Sequence, residues 1–381
     1  MIAALMPFKN MGIFDTMPND QYDTPHPFLT RRPNSRPQRL ALLFVCVMAM
    51  SPFAQPYPKS DHFDGKLFFN PGLGRIDKTF GDMWRWRKEQ KAAWPAWVKT
   101  GTGPVAMARE GRGVAATFVN HATFVLRFAN GTTVLADPIW SARCSPVSFA
   151  GPKRVHAPGV PFENVPRIDV VVVSHNHYDH LDLPTLRMIA DRDSALFLVP
   201  LGDKKLLQGE GIARVEEMDW WQTKKVSGVS ITFLPSQHWS ARGIFDRNES
   251  LWGSWGFVSQ DGTRVYHGGD TGYGPHFKSI RSRWGAPDLA LLPVGAYAPK
   301  WFMGAAHMDP EEAVRAFHDL GARKAVGMHF GTFQLTNEPR EEPGARLKAA
   351  ASGLDFKVPE PAQAFFASAP SSLSSVASPD R

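Results

Sequence analysis

The sequence predicts a mixed α/β (α+β) fold of two packed sheets with helices outside, and three observations carry that prediction. Short β-branched or apolar runs recur along the chain, helical patterns alternate with them, and metal-ligating side chains stand where several runs end. In chain order, strands are expected at 115–118, 125–128, 133–136 and 170–173, a helix at 184–190, a strand at 196–199 and a helix at 204–208. A second set follows, with strands at 231–234, 256–259 and 265–267, a helix at 277–284, a strand at 289–293, a helix at 310–320 and a strand at 325–329. The helix at 310–320 is marked by its start: Asp309 is an N-cap carboxylate, Pro310 sits in the first turn, and Glu311 and Glu312 oppose the dipole. Layered packing of this kind leaves loops free at one sheet edge, where ligands can gather.

The densest chemistry lies between Ser174 and Asp182, where nine residues hold three imidazoles and two carboxylates directly after an apolar run. Imidazole nitrogen and carboxylate oxygen are the ligands of zinc and related divalent ions. His175, His177, Asp179 and His180 form a His-x-His-x-Asp-His spacing at the mouth of a strand, which points to a metal site and away from a solvated loop. Three further runs end on ligand types: 231–234 leads to His238, 264–267 leads through two glycines to Asp270, and 324–328 leads to His329. Seven ligands are too many for one tetrahedral zinc, so two ions about 3.5–4 Å apart, with one carboxylate between them, are the economical arrangement. Such a pair lowers the pKa of a shared water until hydroxide exists near neutral pH and neutralises a phosphodiester as charge builds. No Gly-x-Ser-x-Gly occurs, and one of the two cysteines lies in an apolar segment, so a covalent mechanism finds little support. Asp137 and Asp182 are candidate hydrogen-bond acceptors for ligand histidines. His121 either buttresses the site from a strand end or takes part in catalysis.

These residues resemble the metallo-β-lactamase superfamily, and the surrounding strings resemble its N-acylphosphatidylethanolamine phospholipase D branch. The strings include Asn120-His121-Ala122-Thr123, Ala136-Asp137-Pro138-Ile139, the His175 loop, Pro235-Ser236-Gln237-His238-Trp239, Gly269-Asp270-Thr271-Gly272-Tyr273, Pro293-Val294-Gly295-Ala296-Tyr297, His307-Met308-Asp309-Pro310 and His329-Phe330-Gly331-Thr332-Phe333, and with others they run through roughly two thirds of the chain. The resemblance implies an αββα four-layer sandwich. It puts His175, His177 and His238 on one ion and Asp179, His180 and His329 on the other, with Asp270 bridging, and it places His307 and Tyr297 near the substrate. Departures are mild: Asn120-His121 stands where many relatives have Gly-His, and Gly268-Gly269 precedes the bridging aspartate.

The implied activity is a dinuclear metal-dependent hydrolase of phospholipase D type, acting on N-acylphosphatidylethanolamine-like phospholipids through a metal-bridging hydroxide, with His121, Asp179, Tyr297 and His307 as catalytic candidates. Zinc is the preferred ion; manganese and iron suit the same donors. A lactonase, or another hydrolase of small anionic esters, is the alternative within the superfamily. A non-catalytic metal-binding, membrane-associated module is the alternative of another class.

Composition sets the remaining bounds. At 381 residues with 43% hydrophobic content, the chain can bury a large core in one elaborated catalytic unit, expected at 57–367 with an aromatic and basic elaboration over 57–100. A formal charge of +7 suits anionic lipid, and without basic runs interleaved with aromatics outside the elaboration no nucleic acid partner is expected. Within the elaboration, Met83-Trp84-Arg85-Trp86-Arg87-Lys88 reads either as a lipid-surface segment or as a helix capping the domain. Residues 1–56 form an N-terminal extension in which Arg31, Arg32, Arg36 and Arg39 precede an 11-residue apolar run at 40–50. That run has the length of a signal-peptide core and is short for a bilayer span, which favours export or membrane association over a cytoplasmic location. Cys46 lacks the context of a lipoprotein acceptor, and a late initiator at Met11 or Met17 is an alternative explanation of the long leader. The serine-, alanine- and proline-rich tail at 368–381 is expected to be disordered.

Overall fold

The computed structural model of the protein describes residues 57–108 and 111–370. The apolar run at 40–50, Cys46 and the tail beyond Pro370 lie outside the described residues. The strands are β1 (Val114–Asn120), β2 (Thr123–Phe128), β3 (Thr133–Ala136), β4 (Val170–Val172), β5 (Leu196–Pro200), β6 (Val215–Met218), β7 (Thr223–Val226), β8 (Val229–Leu234), β9 (Ser254–Val258), β10 (Arg264–His267), β11 (Leu289–Pro293), β12 (Ala325–Met328), β13 (Phe356–Lys357) and β14 (Ala364–Ala367). They build two seven-stranded sheets, ordered β14-β1-β2-β3-β4-β5-β6 and β13-β12-β11-β10-β9-β8-β7. Each sheet is antiparallel in one part and parallel in the other, with β3 to β6 and β10 to β13 forming the parallel parts.

The helices are α1 (Phe80–Lys88), α2 (Leu183–Asp193), α3 (Lys204–Gly209), α4 (His276–Arg283), α5 (Lys300–Met303), α6 (Pro310–Leu320) and α7 (Glu342–Ala350). Side-chain alternation along the strands creates the layers. Val170 and Val172 of β4 enter a core shared with Ile231, Phe233 and Val326 of the other sheet, whereas Val171 and Val173 pack with Leu186 and Ile189 of α2. In the second sheet Leu289 and Leu291 of β11 face the same inter-sheet core, while Ala290 and Leu292 join Ile280 of α4 and Ala313 and Ala316 of α6. Both faces of both parallel strands are therefore dry, which explains why they read as unbroken apolar runs. The result is the αββα sandwich. Helix α6 begins as expected, with the Asp309 side chain accepting from the Glu312 amide in a capping box.

Residues 57–100 are built into the sandwich. Phe63 and Phe68 belong to the inter-sheet core, and His62 lies between Asp61 and Asp219 with its ring 4.3 Å from that of Trp220. The aromatic and basic string at 83–88 forms most of α1, capped by Thr79 and Asp82. Its two tryptophans part company: Trp86 is buried with its ring stacked on Phe302 at 5.2 Å, and Trp84 is exposed. The buried face fits the reading of the string as a helix capping the domain. At the other end, Ser368 and Ala369, expected to begin the disordered tail, are instead tethered. The Ser368 carbonyl accepts from Arg323 at 3.0 Å and the Ala369 amide donates to Thr263 Oγ1 at 2.8 Å. Among the described residues no helix is long and apolar enough to cross a membrane.

Candidate metal centre

Five loops at one edge of the sandwich deliver the site. The loop after β4 carries His175, His177, Asp179 and His180 into α2; the turns after β8, β10 and β12 carry His238, Asp270 and His329; the turn between β1 and β2 carries His121. Their ligand-type atoms fall into three sets, each within 4.8 Å: His175, His177, His238 and Asp270; His121, Asp179, His180 and His329; and Asp270, His307 and His329. All seven sequence-predicted ligands are brought together, and His121 and His307 stand with them. Asp270 reaches both sides, with Oδ2 3.8 Å from His175 Nε2 and 3.7 Å from His238 Nε2, and Oδ1 3.0 Å from His329 Nε2.

The backbone is strained to reach this arrangement. His121, Asp137 and His329 adopt positive φ values of 47°, 42° and 63°, a conformation that costs roughly 1–3 kcal/mol for such residues and clusters at functional sites. Gly269, at φ 56°, precedes Asp270 because a Cβ there would lie 2.5 Å from that of Ser174.

Hydrogen bonds fix which nitrogen of each ring faces the cluster. A carboxylate or carbonyl can only accept here, so His180 Nδ1 donates to Asp137 Oδ2 at 2.7 Å and His238 Nδ1 donates to the Ala306 carbonyl at 3.0 Å. Each then turns Nε2 inward, the orientation typical of metal-ligating histidine; at His238 burial keeps that nitrogen's lone pair free, whereas at His180 burial is outweighed by Asp270, Asp179 and Asp137, which lift the ring well above the ordinary histidine range. His177 faces inward through Nδ1, 2.8 Å from His175 Nε2. His121 Nε2 donates to Asp179 Oδ2 at 2.9 Å, so its ring orients that carboxylate.

Electrostatics and unmet valences agree on what fits between these groups. Burial pushes His175 and His177 well below the ordinary histidine range and His238 to about 4, which keeps their lone pairs free. Burial also pulls His329 down, but Asp270 and Asp179 outweigh it and lift that ring to about 9. Protons there hold the place a cation would take, and metal uptake releases them. The buried atoms His180 Nε2 and His307 Nδ1 have no hydrogen-bond partner. Leaving a buried polar atom unmet costs about 1–3 kcal/mol each. An all-nitrogen and oxygen donor set of this kind fits divalent ions.

Asp137 is the inner support expected of it, accepting from the Ser174 amide and hydroxyl, both at 2.7 Å, as well as from His180. Asp182 is not: its carboxylate accepts from Ser141 and Thr185 and ties the 141 loop to the start of α2. Tyr297 also departs from expectation. Its hydroxyl donates to Glu342 Oε1 at 2.7 Å and its ring lies under Arg346 at 4.7 Å, so it braces α7 and does not line the cavity at the cluster. His307 does line that cavity, its Nδ1 lying 3.9 Å from Asp270 Oδ2.

Two supports were not visible in the sequence. Asn70 Oδ1 accepts from the His238 amide at 3.1 Å and from Trp252 Nε1 at 3.2 Å, while its Nδ2 donates to the His238 carbonyl at 2.9 Å. Arg242 Nη1 donates to the carbonyls of Asn176 and Leu181 at 2.9 and 2.8 Å, its guanidinium lies 4.0 Å from the Tyr178 ring centre, and Tyr178 in turn donates to the Arg242 carbonyl. The first fixes a ligand in both directions and the second closes the ligand loop. Asn70→Ala is expected to weaken binding of one ion roughly 10–100-fold, as removal of such supporting groups does, and isothermal titration with zinc checks it. A cavity of about 300 Å³ opens against the cluster, bounded by His177, Asp179, Asp270 and His307 on one side and by Met83, Trp239, Phe302 and Met303 on the other.

Two sheets in an αββα sandwich with buried histidine and aspartate sets at one edge define the class as a metal-dependent hydrolase. The model of the β-lactamase superfamily domain matches residues 132–330, which include every one of the seven ligand positions, and the chain belongs to that superfamily. It is 40% identical over 248 residues to N-acyl-phosphatidylethanolamine-hydrolyzing phospholipase D 1 of Caenorhabditis elegans, covering 62% of this chain and 69% of that one. An uncharacterized protein of Mycobacterium tuberculosis is 43% identical over 257 residues, covering 66% of this chain and 68% of its own. Among solved structures, isothiocyanate hydrolase from Delia radicum gut bacteria aligns with a TM-score of 0.55 at 20% identity, over 67% of this chain and 99% of that one, a likeness of fold.

Proposed function

We propose that this chain hydrolyses the phosphodiester of an N-acylphosphatidylethanolamine-like phospholipid, with two divalent ions, zinc by preference. The observation that carries this reading is the seven-ligand cluster opening onto a cavity with apolar walls, Lys78, and Arg247 paired with Asp77. The relative that hydrolyses N-acylphosphatidylethanolamine supports the substrate class. When bound, the ions supply an activated water and neutralise charge on the phosphoryl oxygens. His175, His177 and His238 would hold one ion, Asp179, His180 and His329 the other, and Asp270 both.

The chain's own residues do the rest. His121 keeps the Asp179 carboxylate turned toward the second set, and Asp137 does the same for His180. His307, buried and facing the cavity, can donate to or accept from a substrate oxygen beside Asp270. Met83, Trp239, Phe302 and Met303 exclude water from the cleft and offer acyl chains a surface, while Lys78 opposes the substrate's negative charge.

The test is metal content and turnover measured on one purified sample, offered N-acylphosphatidylethanolamine in mixed micelles beside a soluble lactone and a simple phosphodiester. Two ions per chain with release of phosphatidic acid is the expected result. Consumption of the lactone alone would move the function to a small-ester hydrolase with the same site.

A further inference from the structure

The loop from Ser240 to Asn248 is closed at its base and bare at its tip. The Asn248 amide donates to the Ser240 carbonyl at 2.8 Å, and the Asp246 carboxylate accepts from the amides of Arg242 and Gly243. Arg242 fastens one limb to the ligand loop, and Arg247 fastens the other to Ile76 and Asp77. Between these ties Ile244 is 67% exposed and Phe245 92% exposed. The ties hold the two limbs of the loop, and its tip presents two large apolar side chains to the outside.

The position of that tip narrows what covers it. Ala241 and Arg247, which flank it, both line the cavity at the cluster. Other segments that line the cavity carry exposed apolar side chains beside their lining residues: Trp84 next to Met83, and Phe149 between Cys144 and Pro152. Cations accompany them. Lys78, Arg85 and Lys88 lie over the ring faces of Phe302, Trp301 and Trp84 at 5.0, 4.1 and 5.0 Å. Exposed aliphatic and aromatic tips with basic groups among the rings suit the boundary between acyl chains and anionic head groups.

We propose that Ile244 and Phe245 insert into an anionic lipid surface and seat the cavity mouth on it. The purpose of this contact rests on the phospholipid reading above; its evidence does not. Because the base of the loop is the clamp on the ligand loop, the docked chain presents the metal cluster to the surface at a fixed height.

The experiment uses the full chain and vesicles that contain no substrate. Flotation with phosphatidylglycerol–phosphatidylcholine vesicles is compared with flotation on phosphatidylcholine alone, for the parent and the I244S/F245S pair. The parent is expected to float with the anionic vesicles, less so at high salt, and the pair to lose at least about tenfold in partitioning while keeping its metal content and melting temperature. Unchanged flotation of the pair overturns the proposal. So does a parent that is dimeric in sedimentation and becomes monomeric on substitution with vesicle binding intact, since the tip would then cover a second copy of the chain. Lost flotation together with a parent that cleaves no phospholipid upholds the docking surface and removes the phospholipase reading.

Discussion

Asp270→Asn is expected to cut turnover by roughly three orders of magnitude, since a bridging ligand supports several kcal/mol of charge stabilisation and about 1.4 kcal/mol is a factor of ten. The physical reason is position. Among the described residues no other carboxylate reaches rings of both triads, with 3.3 Å to His180 Nε2 and 3.7 Å to His238 Nε2 from one oxygen and 3.0 Å to His329 Nε2 from the other. Asparagine keeps the volume but removes the charge and turns one acceptor into a donor aimed at ring nitrogens. On the two-ion reading proposed above, metal content should fall from two ions toward one. The metal-free variant should melt below the metal-free parent, because the attraction of Asp270 to His329 and His180 outweighs its desolvation, holds its carboxyl well below the ordinary range, and is forfeited when the charge is removed. Elemental analysis and melting curves on parent and variant check both statements, and full turnover with two ions retained would sink the bridging role.

Why this much of the centre could be read from the sequence follows from where its information lies. The loop at 175–182 is local, and the other three ligands end runs that are apolar because both their faces are buried, so strand and ligand announce each other. Parallel β4, β5, β11 and β12 were legible for the same reason. Strand β7, with the pattern Thr-Lys-Lys-Val, lies at a sheet edge with one face open, and so carries no apolar run. Strands β13 and β14 are defined by partners far away, β14 pairing with β1 across the whole domain. Helix α7 opens Glu-Pro-Gly, a string that signals a turn as readily as a first helical turn. Asn70 and Arg242 act on residues 168 and 66 positions away, and nothing in their neighbourhood marks them. Tyr297 shows the opposite limit: its placement rested on resemblance, and the hydroxyl is taken by Glu342.

Asp137→Ala tests whether the supporting carboxylate is as necessary as the ligands it serves. Asp137 is fully buried and accepts three donors, so truncation leaves the Ser174 amide without its partner, the Ser174 hydroxyl with only the His175 ring at 3.0 Å, and His180 Nδ1–H with only a long 3.4 Å contact to that hydroxyl. At about 1–3 kcal/mol for each unmet buried donor, a loss of roughly 3 kcal/mol or more is expected in chemical denaturation. The left-handed conformation at φ 42° adds to it, since aspartate and asparagine tolerate that region better than alanine. His180 would also lose the bond that fixes its ring orientation, and the affinity for the ion that it is proposed to hold should fall roughly 10–100-fold. Asp137→Asn separates the two effects. It keeps the backbone preference and one acceptor oxygen, so it should recover much of the stability, yet its amide must turn a donor toward either Ser174 or His180. If asparagine restores folding but turnover returns only at raised zinc, the charge on Asp137 serves the metal and its shape serves the fold; equal recovery of both would assign it to the fold alone.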